Sequence, residues 1–374
     1  MFVIGLISGT SADGVDAALV KINGAGEKIT IKEIAFRTYS FSRDLQDEIF
    51  RISHGKGNAG EISMLNFKLG EIFAQAALRI ADKAGIPIRK VSLIGSHGQT
   101  VSHIPGRASF QIGEPAVISK RTGVVTIADF RPADIAAGGE GAPLSCLLHY
   151  HLFRKKGEST LVLNIGGISN FTLVPSSGGT SDILAFDTGP GNMLIDGLVR
   201  DVTGGKKKYD HHGRIGKKGR INQKLLGRLM QNRFILKPPP KSTGREAFGK
   251  VLIEGLKEIQ KKEKIVFKDL VATVTAFTSE SVYYNYMKYI KNFNPSKLVV
   301  TGGGVKNRLL MDLMKKRFYP LPVKTFEDYS LNSDSAEALA FSLLAYLTYN
   351  GLPGNIPSAT GAEMPAVLGK ISYF

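Results

Sequence analysis

Phe2-Val-Ile-Gly-Leu-Ile7 is followed by Ser8-Gly-Thr-Ser-Ala-Asp-Gly14 and then by Val15-Asp-Ala-Ala-Leu-Val-Lys-Ile22 at the start of the chain. An apolar run, a glycine-rich turn and a second apolar run predict a β-hairpin, and residues 29–36 predict a third strand beside it. The same pattern returns in Thr160-Leu-Val-Leu-Asn-Ile165, Gly166-Gly-Ile-Ser-Asn170 and Phe171-Thr-Leu-Val174. A repeat at a spacing of about 155 residues indicates an internal duplication.

Strand and helix patterns alternate along the rest of the chain. Apolar residues at helical spacing predict helices, and short apolar runs predict strands. The predicted helices are 43–52, 61–84, 271–289 and 336–349, and the further predicted strands are 91–95, 123–128, 183–186 and 297–301. This alternation predicts an α/β fold with parallel or mixed sheets. With 374 residues, at about 150 residues per domain, the duplication predicts two similar lobes around a central cleft.

The predicted domain boundaries follow from that repeat. Residues 1–134 form the first lobe, which the tail 355–374 rejoins, and residues 135–354 form the second lobe. The Pro- and Gly-rich stretch 351–361 allows the tail to leave the second lobe and return.

Charge is unevenly distributed along the chain. The formal net charge is +17, and the stretch 200–268 alone holds 20 Lys or Arg against 6 Asp or Glu. Such a stretch is either a solvated lysine-rich face or a field that attracts anionic ligands. Nucleic-acid binding is the weakest interpretation, because the stretch has few aromatic residues and no stacking pattern.

The composition excludes several classes of protein. The single Cys146 cannot form an internal disulfide, and its apolar surroundings favour a buried core residue. The N-terminus reads as a strand rather than a secretory signal, and no run approaches the ~18 apolar residues of a membrane span. These observations predict a cytoplasmic protein.

Four glycine-rich turns each follow an apolar strand: residues 5–14, 166–167, 189–191 and 302–304. Glycine lets backbone N–H groups approach phosphate oxygens, and one such turn alone is weak because hairpins also favour glycine. Two of the turns carry carboxylates, Asp13 and Asp16 in the first and Asp187 in the third. Phosphate donors together with carboxylates are what phosphoryl transfer requires. By contrast, Gly55 to Gly60 matches a dinucleotide motif but follows a helix pattern, and it is interpreted as a helix connector.

Four side chains are candidates for chemistry. Asp187, predicted at the carboxyl end of a strand, suits a general base, although Asp before Thr-Gly also initiates turns. Glu337 is the last residue of Asp334-Ser-Ala-Glu337, which favours a helix-capping box over a position in the cleft. His97, predicted in a donor-rich turn after a strand, could contact a ligand. Arg131 could bind an anionic group or pair with Asp129 or Asp134.

Motifs along nearly the whole chain resemble the anhydro-N-acetylmuramic acid kinase family. They are Gly9-Thr-Ser-Ala-Asp-Gly-Val-Asp16, Gly95-Ser-His-Gly-Gln-Thr100, Gln111-Ile-Gly-Glu-Pro115, Ala128-Asp-Phe-Arg-Pro132, Ala137-Gly-Gly-Glu-Gly-Ala-Pro143, Phe186-Asp-Thr-Gly-Pro-Gly-Asn192, Lys237-Pro-Pro-Pro-Lys-Ser-Thr-Gly-Arg-Glu246 and Pro353-Gly-Asn-Ile-Pro-Ser-Ala-Thr-Gly361. The resemblance implies the actin-like ATPase (ribonuclease H-like) fold of the sugar-kinase superfamily. It also implies an ATP- and Mg²⁺-dependent enzyme of peptidoglycan recycling, which opens the 1,6-anhydro ring with water while phosphorylating O6.

The resemblance also implies roles for individual residues. Asp187 corresponds to the catalytic base, and His97, Arg131 and Glu337 correspond to sugar contacts. The ATP-facing positions are Gly9, Thr10, Ser11, Ala12, Asp13, Gly14, Val15, Asp16, Gly166, Gly167, Gly189, Gly302, Gly303, Gly304 and Asn307. Asp13 and Asp187 are the expected Mg²⁺ residues. Two positions depart from the family pattern, Glu140 in place of Gln and His212 in place of an acidic residue.

Two rival functions remain at this point. A kinase for another anhydro sugar, such as levoglucosan, would share the glycine turns. A sugar-independent actin-like ATPase would turn over nucleotide without a sugar. The expected partners are the sugar and ATP, with no nucleic acid and no membrane, and a homodimer is left open.

Overall fold

The computed structural model describes residues 1–9 and 11–374, with the side chains of all of these except Arg245 and Glu246. Its strands are β1 (Phe2–Ser8), β2 (Gly14–Asn23), β3 (Thr30–Ser40), β4 (Val91–Ile104), β5 (Ala108–Ile112), β6 (Thr126–Ala128), β7 (Thr160–Ile165), β8 (Ile168–Val174), β9 (Leu184–Pro190), β10 (Lys297–Thr301), β11 (Val323–Thr325) and β12 (Lys370–Ser372).

The α-helices lie between these strands and after them. They are α1 (Arg43–Ser53), α2 (Ala59–Lys83), α3 (Pro115–Thr122), α4 (Phe130–Ala136), α5 (Cys146–Phe153), α6 (Met193–Val202), α7 (Gln223–Leu229), α8 (Arg233–Leu236), α9 (Arg245–Phe248), α10 (Lys250–Lys262), α11 (Phe267–Asn285), α12 (Arg308–Phe318), α13 (Ala336–Tyr349) and α14 (Pro357–Thr360). The predicted α/β class is confirmed.

The chain divides into two compact units, Met1–Phe153 with Asp334–Phe374, and Arg154–Ser333. The first unit holds a sheet with the strand order β12-β6-β4-β1-β2-β3, and β5 pairs with β4. β1, β2 and β3 form the antiparallel meander that the opening sequence predicts, and β4 and β6 continue the sheet in parallel with β1.

The second unit repeats this topology. Its sheet has the order β11-β10-β7-β8-β9, with β7, β8 and β9 antiparallel and with β10 and β11 parallel to β7. The order and directions match β6-β4-β1-β2-β3 of the first unit, so the internal duplication is confirmed. The predicted boundaries at 134/135 and 354/355 fall inside the first unit, which also contains α5 and α13.

The first unit packs helices on both faces of its sheet. Alternate residues of β1, Ile4 and Leu6, belong to a core cluster with Leu69 and Phe73 of α2. On the other face, α13 lies directly on β1 and β4. A Cβ at Gly5 would lie 1.8 Å from the Ala338 carbonyl oxygen, so glycine is required for this close approach.

The second unit has two apolar clusters. Leu161, Leu163 and Ile165 of β7 pack with residues of α12 and of the C-terminal end of α11. A further cluster joins α6 to α10 and α11, including Leu198, Leu256 and Phe277. Among the described residues, no helix combines the length and the apolar character that crossing a bilayer would need.

Candidate active site

The turn between β1 and β2 is the first part of the site. The Ala12 N–H donates to the Gly9 carbonyl at 3.0 Å, and Ser11 Oγ donates to Asp13 Oδ1 at 2.7 Å. A Cβ at Gly9 would meet no atom within 4 Å, in contrast to Gly5. The fold itself therefore does not require glycine at position 9, and the space above it is accessible to a ligand. Thr10 lies outside the described residues.

Gln99 of β4 fixes this turn to the neighbouring strand. Ser8 Oγ donates to Gln99 Oε1 at 2.6 Å, and Gln99 Nε2 donates to the Gly9 carbonyl at 3.3 Å. Both side chains are buried, so neither bond competes strongly with water. Gln99 is a positioning residue that the sequence reasoning missed, although it lies in the quoted stretch Gly95 to Thr100.

A group of carboxylates surrounds the beginning of β2. Burial raises the pKa of Asp16 from 3.8 to about 7, and the negative charges of Asp13, Glu337 and Asp334 add to this effect. The Thr38 hydroxyl opposes it by donating to Asp16 Oδ1 at 2.5 Å. A cation bound beside these carboxylates would offset their mutual repulsion.

The buried His97 and the half-buried Arg131 form a hydrogen-bonded pair in the first unit. Arg131 Nε donates to His97 Nε2 at 3.0 Å, and Arg131 Nη1 donates to the Gly141 carbonyl at 2.7 Å. Because His97 Nε2 accepts, the imidazole is neutral and its proton is on Nδ1, 3.3 Å from the Gly98 carbonyl. Burial and then the Arg131 charge hold the pKa of His97 well below 6.5.

Arg131 stays protonated at neutral pH in this setting. Burial lowers its pKa to about 10, and the charges of Glu337 and Asp134 oppose that shift. Neither of the two predicted carboxylate partners bonds it directly, because Asp129 pairs with Lys370 and Asp134 accepts other donors. Its Nη2 group makes no hydrogen bond with the described residues, so it can donate to a ligand.

Glu337 does not form the predicted capping box. α13 begins at Ala336, and its N-cap Ser335 makes no side-chain cap bond with the helix. The Glu337 side chain is exposed, yet surrounding protein atoms remove enough hydration to raise the pKa of its carboxyl, while Arg131 opposes this. Solvent access limits the size of that shift. Because α13 begins at Ala336, Glu337 is its second residue and not the third residue that a capping box from Asp334 requires. The charge of Glu337 acts on both Arg131 and Asp16.

The structure corrects two local predictions in this unit. His97 lies inside β4, which continues to Ile104, and not in a turn. Residues 99–104 pair with β5, so β4 extends well beyond the buried part predicted from the sequence. Arg131 lies at the start of α4, shortly after the end of β6.

Three glycine turns converge at one edge of the sheet in the second unit. The N–H groups of Gly191 and Asn192 donate to the carbonyls of Gly167 and Gly166, at 2.9 and 2.8 Å. Gly302 has a φ of +82°, and a Cβ there would lie 2.4 Å from Asn164 Oδ1 on β7. The turns at 166–167, 189–191 and 302–304 therefore form one glycine-lined region. Asn307, which follows the third of these turns, has a structural role, since its Oδ1 accepts the Leu310 N–H at the start of α12, at 3.2 Å.

Asp187 is held on both sides by the loop 237–244. It lies within β9 opposite Asn170, three residues before the strand ends rather than at its carboxyl end. Its N–H donates to the Lys241 carbonyl at 3.0 Å, and its Oδ2 accepts the Thr243 N–H at 2.8 Å. The Pro-rich loop therefore fixes the position of the carboxylate.

Lys241 is the buried anchor of that loop. Its Nζ donates to the Ile235 carbonyl at 3.0 Å and lies 5.1 Å from the centre of the Phe234 ring. Burial lowers its pKa to about 8, and Asp187 opposes this shift. The sequence reasoning did not single out Lys241, although it lies in the quoted stretch Lys237 to Glu246.

No set of three or more His, Cys, Asp or Glu is placed to hold a metal ion by itself, within residues 1–9 and 11–374. The predicted Mg²⁺ residues, Asp13 and Asp187, belong to different units. A Mg²⁺ ion bound mainly through water and nucleotide phosphates needs only one or two protein carboxylates, so this pair stays a prediction.

Two solved structures are distantly similar to this chain. The (R)-2-hydroxyglutaryl-CoA dehydratase component A of Acidaminococcus fermentans is 12% identical, with a TM-score of 0.46, over 92% of this chain and 98% of that one. A ROK family glucokinase from Streptomyces griseus, solved with glucose and AMPPNP, is 12% identical, with a TM-score of 0.41, over 92% and 99%.

Sequence relatives are much closer. A protein of Caldanaerobacter subterraneus subsp. tengcongensis named anhydro-N-acetylmuramic acid kinase is 46% identical to this chain, and the match covers 99% of this chain and 96% of the relative. A protein of the same name from Clostridioides difficile is 42% identical, and the match covers 100% of this chain and 98% of the relative. A third, from Bacillus cereus, is 40% identical over 100% and 99%. The family model for anhydro-N-acetylmuramic acid kinase matches residues 1–374. The chain is therefore an enzyme of the kinase class and belongs to the anhydro-N-acetylmuramic acid kinase family.

Proposed function

We propose that the protein phosphorylates O6 of 1,6-anhydro-N-acetylmuramic acid with ATP while water opens the anhydro ring, which gives N-acetylmuramate 6-phosphate. The observation that carries this proposal is the family match over residues 1–374, together with relatives of that name at 40–46% identity. The product enters peptidoglycan recycling, and a cytoplasmic location follows from the ATP requirement.

The turn between β1 and β2 binds the phosphates of ATP in this proposal. The open space at Gly9 admits phosphate oxygens next to the backbone. Asp13, whose charge contributes to the raised pKa of Asp16, offers an oxygen ligand of the kind that Mg²⁺ prefers. Mg²⁺ bound there would neutralise charge on the phosphates during transfer.

Arg131 and Glu337 contact the sugar. The Nη2 group of Arg131 carries two N–H donors on a guanidinium that His97 and Gly141 hold in place. Such a fixed cation suits the lactyl carboxylate of the substrate. A plain anhydrohexose has no such carboxylate, so Arg131 discriminates between the two sugars.

Asp187 acts as the general base. It takes a proton from the water whose oxygen attacks the anomeric carbon. The bond from that carbon to O6 breaks, O6 bonds to the γ-phosphorus, and the bond to the bridging oxygen of ADP breaks. Ring opening and phosphoryl transfer thus assist each other, and the Thr243 N–H keeps the carboxylate oriented for the proton transfer.

The test is ADP release measured with anhydro-N-acetylmuramic acid, combined with the mass of the product. We expect a product heavier than the sugar by one phosphoryl group (PO₃H) and one water. Faster turnover with levoglucosan would favour the rival sugar kinase, and ADP release that is independent of any sugar would favour the actin-like ATPase.

Asp187→Asn tests the base. The loss of a general base is expected to lower kcat by about 10³-fold, with an unchanged far-UV spectrum. Asp201→Asn is the matched control, because Asp201 lies in the same unit and, among the described residues, its side chain pairs with the surface residue Lys257 alone, at 2.6 Å. Near-normal turnover of Asp187→Asn would refute the assignment.

A further inference from the structure

Asp134 of α4 is a fully buried carboxylate (0% exposed) at the centre of a hydrogen-bond network in the first unit. Its Oδ2 accepts the Gly141 N–H at 2.8 Å. Its Oδ1 accepts Asn355 Nδ2 at 2.8 Å and Thr360 Oγ1 at 2.7 Å. One carboxylate therefore connects the turn after α4 to the C-terminal tail.

The Gly141 backbone is hydrogen-bonded to both Asp134 and Arg131. The carbonyl of Gly141 accepts Arg131 Nη1 at 2.7 Å, while its N–H is held by Asp134. Gly141 has a φ of +77°, a backbone conformation that favours glycine. The tail supports the same turn, because the Glu140 N–H donates to the Thr360 carbonyl at 2.7 Å. The direction of the Arg131 guanidinium thus depends on a turn that Asp134 fixes.

Only a carboxylate can make all of these bonds together. Both oxygens of Asp134 act as acceptors, one towards Gly141 and the other towards Asn355 and Thr360. An amide at this position would point its NH₂ group at the donor of one side or the other. An apolar residue would leave the buried Gly141 N–H without its acceptor, which is costly. Asn355 Nδ2 and Thr360 Oγ1 would keep only their longer bonds to the carbonyls of Met364 and Ile356, at 3.3 and 3.4 Å. The negative charge also favours the protonated form of Arg131.

We propose that Asp134 is a positioning residue, which orients Arg131 towards the sugar through the Gly141 peptide and links that orientation to the C-terminal tail. The part that concerns the sugar rests on the proposed function. The part that concerns the orientation of Arg131 does not, so the two can be tested separately.

The first experiment observes Arg131 directly without substrate. With ¹⁵N-arginine labelling, the Arg131 Nε–H resonance is assigned by its absence in Arg131→Lys. The bond to His97 should make its hydrogen exchange slow. In Asp134→Asn we expect exchange to be faster by about tenfold or more, because the guanidinium loses its second anchor. Asp129→Asn is the matched control: Asp129 lies beside α4, is partly exposed and has a left-handed φ of +57° that Asn tolerates.

The second experiment is a double-mutant cycle on kcat/KM for the anhydro sugar. Asp134→Asn should lower kcat/KM by about tenfold in the wild-type background but by less than about twofold in the Arg131→Lys background. The KM for ATP should stay within about twofold in every variant. Equal losses in both backgrounds would overturn the proposal, since a purely structural role does not depend on Arg131.

A milder substitution tests the same role if the Asp134→Asn variant does not fold. Thr360→Val keeps the side-chain shape and removes one hydrogen bond to Asp134, and it should speed Arg131 Nε–H exchange in the same direction. Unchanged exchange in both variants would overturn the positioning role. If the wild type itself has no activity on anhydro sugars, the proposed function fails, and the exchange measurement still decides the role of Asp134.

Discussion

Asp16→Asn should stabilise the unliganded protein at pH 8 and leave its stability nearly unchanged at pH 4. The pKa of Asp16 rises from 3.8 to about 7, a difference of about 3 units, which corresponds to about 4 kcal/mol at ~1.4 kcal/mol per unit. Asp16 is only half-buried, so solvent screening reduces the expected effect to about 2 kcal/mol. Asparagine keeps an oxygen acceptor for Thr38 and has no charge to desolvate.

The sign follows from proton linkage. Below about pH 4 the carboxyl is protonated in both the folded and the unfolded state, and it carries no penalty. Between about pH 4 and 7 the unfolded chain loses this proton first, so folding is increasingly disfavoured, and above about pH 7 the penalty is constant. The difference in the free energy of unfolding between variant and wild type should therefore grow from near zero to about 2 kcal/mol over this range.

Urea denaturation followed by far-UV circular dichroism measures this difference across pH. Asp196, whose pKa is also raised to about 7, is present in both proteins, so its contribution cancels. A difference that does not vary with pH, or a variant less stable than the wild type at pH 8, would refute the reasoning. With Mg²⁺ and ATP bound, the wild type should become as stable as the variant at pH 8, because a cation beside Asp16 lowers the pKa of its carboxyl.

Three further outcomes are expected. Gly5→Ala should unfold the first unit or lower its stability by about 3 kcal/mol or more, since the added Cβ would overlap the Ala338 carbonyl, and thermal unfolding measures this loss. Gly9→Ala should fold normally and bind Mg²⁺–ATP at least about tenfold more weakly, which calorimetric titration measures. The His97 ring should show no titration by NMR between about pH 5 and 8, because burial and Arg131 keep it neutral, and an inflection there would contradict the assigned bond. The kcat/KM for ATP should fall several-fold as salt is raised if the stretch 200–268 steers anions, and a flat dependence would leave that stretch as a solvated face.

Much of the fold could be predicted from the sequence because its signals are local. Apolar runs separated by glycine turns give the β1–β2 and β7–β8 hairpins, and β10 and α13 match the predicted residues 297–301 and 336–349. Repetition of the hairpin unit was enough to predict duplicated sheets.

The predictions that failed depend on distant partners. His97 looks like a turn residue because Gly98 follows it, yet pairing with β5 continues the strand through that glycine. The capping-box pattern at Glu337 places the start of the helix one residue too early, because α13 begins at Ala336 with Ser335 as its N-cap. The bonds of Gln99 and Lys241 join parts of the chain that local patterns cannot relate.

The division of the first unit between two ends of the chain has a consequence during synthesis. The second unit, Arg154–Ser333, is continuous and can complete its core as soon as it has left the ribosome. The first unit must wait, with one face of β1 and β4 uncovered, until α13 and then β12 emerge behind it. We therefore expect the second unit to fold before the first, and we expect premature termination before residue 336 to leave an exposed apolar sheet that chaperones and proteases recognise.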